Sequence, residues 1–227
     1  MANNKKAVVI LSGGMDSVTT LALAVSQDFD CYSLTFNYGQ KSISEIDAAS
    51  YYSKKYKCKE HKIFDINFGD FSNSALTNHS MSITNVRSPD EGIPNTYVPM
   101  RNIIFLSIAC SWAESTGANN IFIGANAIDY SGYPDCREIF LESYEKMINL
   151  GSKTGAEGGK FNILRPLINM RKIDIIKLGH SLKLDYLRTV SCYQASDDGK
   201  ACGLCESCLF RKRAFVDNGL NDETLYI

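Results

Sequence analysis

Leu11-Ser12-Gly13-Gly14-Met15-Asp16-Ser17 (LSGGMDS) follows directly on the apolar run Ala7-Val8-Val9-Ile10. Such a run suits a buried parallel strand, and the stretch after it, DSVTTLALAVS over 16–26, reads as a helix carrying Val18, Leu21, Leu23 and Val25. LSGGMDS is therefore the turn from a strand into a helix N-terminus. A turn of this kind offers free backbone N–H groups at the positive end of a helix dipole. Glycine lets the backbone approach a phosphate closely, and Ser12, Ser17 and Thr19 add hydroxyl donors. Asp16 repels bare phosphate, so it belongs there if a magnesium ion bridges the two, or if it caps the helix. Two readings stand at this point, a phosphate cradle and a structural turn. No G-x-x-x-x-G-K-[ST] and no G-x-G-x-x-G occurs in the chain, which removes the Walker loop and the dinucleotide fingerprint.

Outward from the turn, strand and helix alternate. A second strand over Cys31–Phe36 ends at Asn37-Tyr38-Gly39, a helix follows at about 43–56, and a third strand covers His61–Ile66. This order predicts a doubly wound α/β fold with a parallel sheet and right-handed crossovers. Ligands of such sheets sit at the carboxyl edge, where residues 12–15 and 37–40 both fall. Residues 67–98 are polar, contain Pro89, Gly92 and Pro94, and read as an irregular excursion. A helix is expected from Pro99 to about Thr116, a fourth strand at Asn120–Gly124, a helix at 138–149, a strand near Phe161–Leu164 and a helix near Arg171–Ser181. The chain divides into a main domain over 1–185 and a small cysteine-rich segment over 186–227.

The 227 residues are 44% hydrophobic and 22% charged, ordinary for a globular protein. No apolar run approaches the ~20 residues of a membrane span and the start lacks a signal-peptide core, so the cytoplasm is the expected location. Net charge is −1, and the one dense basic cluster, Arg211-Lys212-Arg213, reads equally as a solvated helix face. No stable nucleic-acid partner is expected from such a balance.

Four of the eight cysteines, Cys192, Cys202, Cys205 and Cys208, crowd into seventeen positions. Four thiolates suffice for a closed tetrahedral zinc site, which pins a chain segment rather than performing chemistry. An iron–sulfur cluster is the rival, although the ferredoxin run continues to a Cys-Pro where this chain has Lys212-Arg213. In YVPMRN (97–102), Pro99 suits a first helical turn and places Arg101 and Asn102 where an anion could sit. In GANAIDYSGYPDCR (124–137) a strand empties into amides, carboxylates, two tyrosines and an arginine, equipped to read a polar planar ring. Each has a plain alternative, a surface arginine and a turn-rich loop. His61, His79 and His180 fall in no recognisable site.

Ser12-Gly13-Gly14-Met15-Asp16-Ser17 resembles the SGGxDS signature of the PP-loop ATP pyrophosphatase superfamily, whose loop holds the phosphates of ATP. That loop, FNYGQ (36–40), VPMRNIIFLSIA (98–109), GANAIDYSGYPDCR and the four-cysteine tail stand in the order of the 7-cyano-7-deazaguanine synthase family. The resemblance runs from about residue 7 to 210. One departure is visible: where the family commonly has a histidine two residues after the YGQ glutamine, this chain has Ser42.

The resemblance implies ATP binding over Leu11, Ser12, Gly13, Gly14, Met15, Asp16, Ser17, Val18, Thr19, Thr20 and Leu21, with magnesium at Asp16. It implies catalytic roles for Asp16, Arg101, Asn102, Asp129 and Arg137, and substrate contacts from Tyr130, Tyr133 and Asp135. Cys192, Cys202, Cys205 and Cys208 would hold structural zinc. The implied reaction joins ammonia to 7-carboxy-7-deazaguanine in a homodimeric, cytoplasmic enzyme of queuosine biosynthesis. Two rivals are tRNA modification by the same loop, which would call for a basic extension, and a zinc-stabilised nucleotide-binding module without synthesis. Cys136 reads as a packed residue rather than a nucleophile.

Overall fold

Side chains of a strand alternate between its two faces, and this divides β1 (Lys6–Ile10) between two cores. Val8 and Ile10 pack with α3 (Arg101–Thr116) and α4 (Glu138–Gly151). Ala7 and Val9 pack on the opposite face with α1 (Met15–Ser26), α2 (Ser44–Lys55), α6 (Lys172–Ser181) and α7 (Glu206–Asp217). The remaining elements are β2 (Asp30–Asn37), β3 (Glu60–Asp65), β4 (Asn120–Phe122), a one-turn α5 (Lys153–Ala156) and β5 (Asn162–Leu164). The structure is a computed structural model that describes residues 5–70, 72–83, 92–128 and 132–227.

All pairings are parallel, in the order β3-β2-β1-β4-β5. Val8 of β1 lies opposite Tyr32 on one side and Ile121 on the other. The chain winds from β1 outward to β3 and then returns to place β4 on β1's free edge. The winding reverses between β1 and β4, and that reversal opens a crevice beyond their carboxyl ends.

The doubly wound parallel sheet is as expected, with three local differences. Pro99 stands outside α3 rather than in its first turn: Met100, at φ 58°, redirects the chain and the helix begins at Arg101. Between 67 and 98 the described residues form no strand and only a short 3-10 turn at Phe68–Asp70, yet Phe68, Ala75, Leu76, Ile83 and Val98 are buried in the core that holds α3. Ala75 N–H donates to the Asn95 carbonyl at 2.8 Å and ties the two ends of that excursion together. The basic cluster is not a single solvated face. Arg211, 2% exposed, donates to Asp222, to Thr189 and to the Tyr186 carbonyl. Lys212 lies over the Tyr226 ring and donates to the Gly203 carbonyl, while Arg213 pairs with Asp217 at the surface.

Candidate active site

The crevice between the ends of β1 and β4 holds a cavity walled by the turns after β1, β2 and β4, the starts of α3 and α6, and residues 190–193. Its floor is the LSGGMDS turn. Gly13 takes φ +84°, and a Cβ there would lie 2.1 Å from the Glu45 carbonyl oxygen, so α2 packs directly on this backbone. Gly14 precedes α1 as its cap. The Ser12 N–H donates to Ser17 Oγ, which donates in turn to the Gly14 carbonyl, and this folds the turn over the first helical residues. From outside, the Val190 N–H donates to the Gly13 carbonyl at 3.1 Å and the Met15 N–H to Ser191 Oγ at 3.0 Å. Gly124, leaving β4, comes so close that a Cβ would stand 3.0 Å from the Ser17 nitrogen.

Of the residues in the implied ATP-binding span, Leu11, Ser12, Gly14, Met15, Asp16 and Ser17 line the cavity. Val18, Thr19, Thr20 and Leu21 point into the interior instead. Thr19 Oγ1 donates to the Met15 carbonyl and meets the Tyr186 hydroxyl, and Thr20 Oγ1 donates to the Asp16 carbonyl.

Asp16 does not stand free. Lys172, a residue 5% exposed at the start of α6, donates from Nζ to its carboxylate oxygens at 2.6 and 2.8 Å. Sequence reasoning misses Lys172, because in RKIDIIKLGH it is one more lysine on an amphipathic helix. The loop that positions it is pinned by Asn126, whose Nδ2 donates to the Leu167 and Met170 carbonyls.

Arg101 and Asn102 both line the cavity. Arg101 donates to the Tyr38 hydroxyl at 3.2 Å, with its guanidinium 5.5 Å from that ring's centre. Asp135 is buried and turned away: its carboxylate accepts the Asn102 N–H at 3.0 Å and its carbonyl accepts Asn102 Nδ2. It anchors the first turn of α3. Tyr133 forms part of the wall, held by a 2.7 Å bond between its hydroxyl and Thr96. Arg137 is exposed ahead of α4 and does not line the cavity. Asp129 and Tyr130 lie outside the described residues. Cys136 borders the cavity with its sulfur accepting from Asn102, and burial pushes its thiol up to about 12. It is a thiol at neutral pH and a poor nucleophile.

A second group that the sequence does not announce stands opposite Arg101. Glu45, in the first turn of α2, takes the Gln40 amide N–H on Oε1 at 2.9 Å. Burial pushes its carboxyl up to about 7, against the pull of Arg101 and of that hydrogen bond. Ser42 is beside it, 4% exposed, and its hydroxyl has no hydrogen-bond partner among the described residues.

The cysteine sulfurs of Cys192, Cys202, Cys205 and Cys208 all lie within 4.8 Å of one another. Cys205 Sγ is 3.5 Å from Cys208 Sγ and 3.9 Å from Cys192 Sγ. Four thiolates about 2.3 Å from a tetrahedral zinc stand about 3.8 Å apart, so the cluster fits such an ion. Backbone N–H groups of Cys202, Gln194, Leu204 and Cys205 point at the sulfurs and would offset thiolate charge. Cys192 directly follows the two residues that clamp the LSGGMDS turn.

The family model described as queuosine biosynthesis protein QueC matches residues 6–219. The 7-cyano-7-deazaguanine synthase of Pseudomonas syringae pv. tomato is 50% identical over 222 residues, 98% of this chain and 97% of its own. That of Cellvibrio japonicus is 50% identical over 227 residues, 99% of both chains. Among solved structures, NMN synthetase from Francisella tularensis superposes with a TM-score of 0.50 at 15% identity, covering 97% of this chain and 79% of the other. A 4-thiouridine synthetase, solved with RNA and bound ATP, gives 0.53 at 18% identity, covering 93% and 53%. These two likenesses show a fold shared with the NMN synthetase and the 4-thiouridine synthetase.

Proposed function

As the chain belongs to the QueC family of queuosine biosynthesis proteins, we propose that it is an ATP-dependent ligase making 7-cyano-7-deazaguanine from 7-carboxy-7-deazaguanine and ammonia. The observation that carries this reading is the convergence of the LSGGMDS backbone, the Asp16–Lys172 pair and Arg101 on one cavity at the winding reversal. A carboxylate is a poor electrophile, and ammonia would only exchange a proton with the acid. Transfer of an adenylyl or phosphoryl group to its oxygen creates a leaving group, so ammonia can form an amide. Activating the amide oxygen in turn and expelling it leaves the nitrile. The enzyme's work is positioning and charge stabilisation.

The backbone of Ser12 to Ser17 holds the phosphates at the α1 N-terminus, and Lys172 supplies a buried positive charge beside them. The Asp16 carboxylate would hold magnesium arriving with ATP, and the ion would supply charge neutralisation at the phosphates. Arg101 faces the substrate carboxylate, with Asn102 and Asp135 fixing the turn that aims it. Tyr133 gives the flat wall for the deazaguanine ring. Asp129, Tyr130 and Arg137 belong to this reading through the family resemblance alone. Zinc at the four cysteines is structural and holds residues 190 and 191 against the phosphate loop. The enzyme works as a cytoplasmic homodimer; among the described residues no helix is long and apolar enough to cross a membrane. Exposed Ile139, Met147 and Leu150 on α4 support self-association.

Incubation of the purified protein with 7-carboxy-7-deazaguanine, ATP, magnesium and ammonium tests the reading. Nitrile product by mass spectrometry, with matching ATP consumption, is expected; its absence with an authentic synthase active in parallel overturns it.

A further inference from the structure

We infer that Glu45 and Ser42 form the ammonium subsite of this cavity, and that the Glu45 carboxylate removes the proton that makes ammonia nucleophilic. The assignment rests on the ligase reading above. Its starting point is charge. Among the described residues, the cavity has two carboxylates in its lining, Asp16 and Glu45. Asp16 is neutralised by Lys172. Among the described residues, Glu45 makes no ion pair and receives one neutral amide donor on one oxygen, from a Gln40 that also donates to the Phe36 carbonyl and accepts the Tyr38 N–H. Its Oε2 makes no hydrogen bond among the described residues. One turn away, the Ser42 hydroxyl is buried without a partner, and the Glu45 N–H bonds to the Ser42 carbonyl at 3.3 Å, so the two side chains belong to the same turn.

A buried orphan hydroxyl and a carboxylate oxygen without a donor lack the same thing, a small group rich in N–H donors. Ammonium has four and carries the charge Glu45 needs. It is also the form in which ammonia exists near neutrality, since amine nitrogens titrate well above pH 7. Ammonium has no lone pair to offer, so the enzyme must take a proton from it. The groups bearing on Glu45 are Arg101 from α3 and Tyr38 from the turn after β2, with Lys41, Tyr133, Cys136, Asp16 and Lys172 elsewhere around the cavity. A carboxyl held near 7 by burial is a stronger base than an ordinary glutamate and is still half ionised at neutral pH.

One proton passes from ammonium to Glu45. The freed lone pair forms a C–N bond to the activated acyl carbon, and the C–O bond to the nucleotide phosphate breaks with its electron pair leaving on phosphate. A second nitrogen-bound proton is released to solvent, giving the amide.

Rates of nitrile formation by the wild type and Glu45→Gln against total ammonia, from about pH 6 to about pH 9 at saturating ATP and base, test this. For the wild type, kcat/KM for total ammonia levels off above about 7 as Glu45 ionises. The variant falls at least ~100-fold at neutral pH and gains about tenfold per pH unit, since only free ammonia serves it. Hydroxylamine, uncharged at neutral pH, restores comparable rates of acyl transfer in both. A wild-type profile that climbs unbroken across the range overturns the inference without recourse to any variant. So does a variant whose profile parallels the wild type, or one that changes only KM for the deazaguanine, which would assign Glu45 to the ring's N–H edge. If the wild type forms no nitrile and consumes no ATP in response to the carboxy base, the ligase reading itself has failed; nitrile with an unbroken profile removes only the role of Glu45.

Discussion

Asp16 and Lys172 show how one residue's role depends on a partner that its local sequence does not contain. A turn read in isolation suggests an exposed aspartate whose loss would spare the fold. In the structure, removing it strands the charge of Lys172, a residue that is 5% exposed. Loss of one partner of a buried pair costs about 3–5 kcal/mol. Asp16→Ala is therefore expected to lower Tm sharply as well as abolish turnover, while Asp16→Ala with Lys172→Met recovers stability and not activity. Calorimetry on the two proteins checks this; an unchanged Tm for the single variant would mean that the pair contributes nothing. Glu45 pulls the other way. Its carboxyl is held above the unfolded value, so its contribution is complete below about pH 4 and is lost as pH rises through about 7. Glu45→Gln should then stabilise the protein by about 1–3 kcal/mol above pH 7 while costing ammonia use. Cys136→Ala should retain turnover within a few-fold, because a thiol at about 12 is not a nucleophile; a loss beyond about a thousandfold would restore a covalent role.

At the scale of elements, the LSGGMDS turn is held by neighbours on both sides. Gly13→Ala would drive a methyl into the Glu45 carbonyl at a positive φ, so α2 must move or the turn must open. Weakened ATP binding with a lowered Tm is expected from titration calorimetry and thermal melts. On the other side, Val190 and Ser191 clamp the turn and lead straight into Cys192. Cys205→Ser should reduce bound metal and ATP affinity together, as read by elemental analysis and nucleotide binding. ATP affinity retained in metal-free protein would separate the two. Legibility differed between these elements. The strands and helices were evident from apolar periodicity, and the four cysteines from spacing, because each signal lies within about twenty residues. The left-handed Met100 just ahead of α3 was not, since it leads into a helix start whose anchor, Asp135, lies thirty-three positions beyond Asn102.

For the whole molecule, two cores share one sheet, and the C-terminal segment is not separate from them. Ala214 and Phe215 of α7 pack with Val9, Leu11 and Leu21, and buried Arg211 joins α7 to residues 186, 189 and 222. Scanning calorimetry should show a single transition, raised by ATP with magnesium by about 2.7 kcal/mol at a hundredfold excess over Kd. Two transitions would mark the segment after residue 185 as an independent unit.

The sequence by itself determined the doubly wound sheet, the phosphate-type turn, the cysteine cluster and the family resemblance. Each is written in local order: a strand period, a strand-to-helix turn of glycines, a spacing of thiols. Only the tertiary structure decided which polar groups face the cavity. It turned Thr19, Thr20 and Asp135 inward as structural bonds and brought Lys172, 156 positions away, onto Asp16. It also brought Glu45 and Ser42 to the lining of the same cavity. The reason is physical: a buried polar group takes its chemistry from what it is paired with, and parallel winding brings those partners from distant segments to one edge of the sheet.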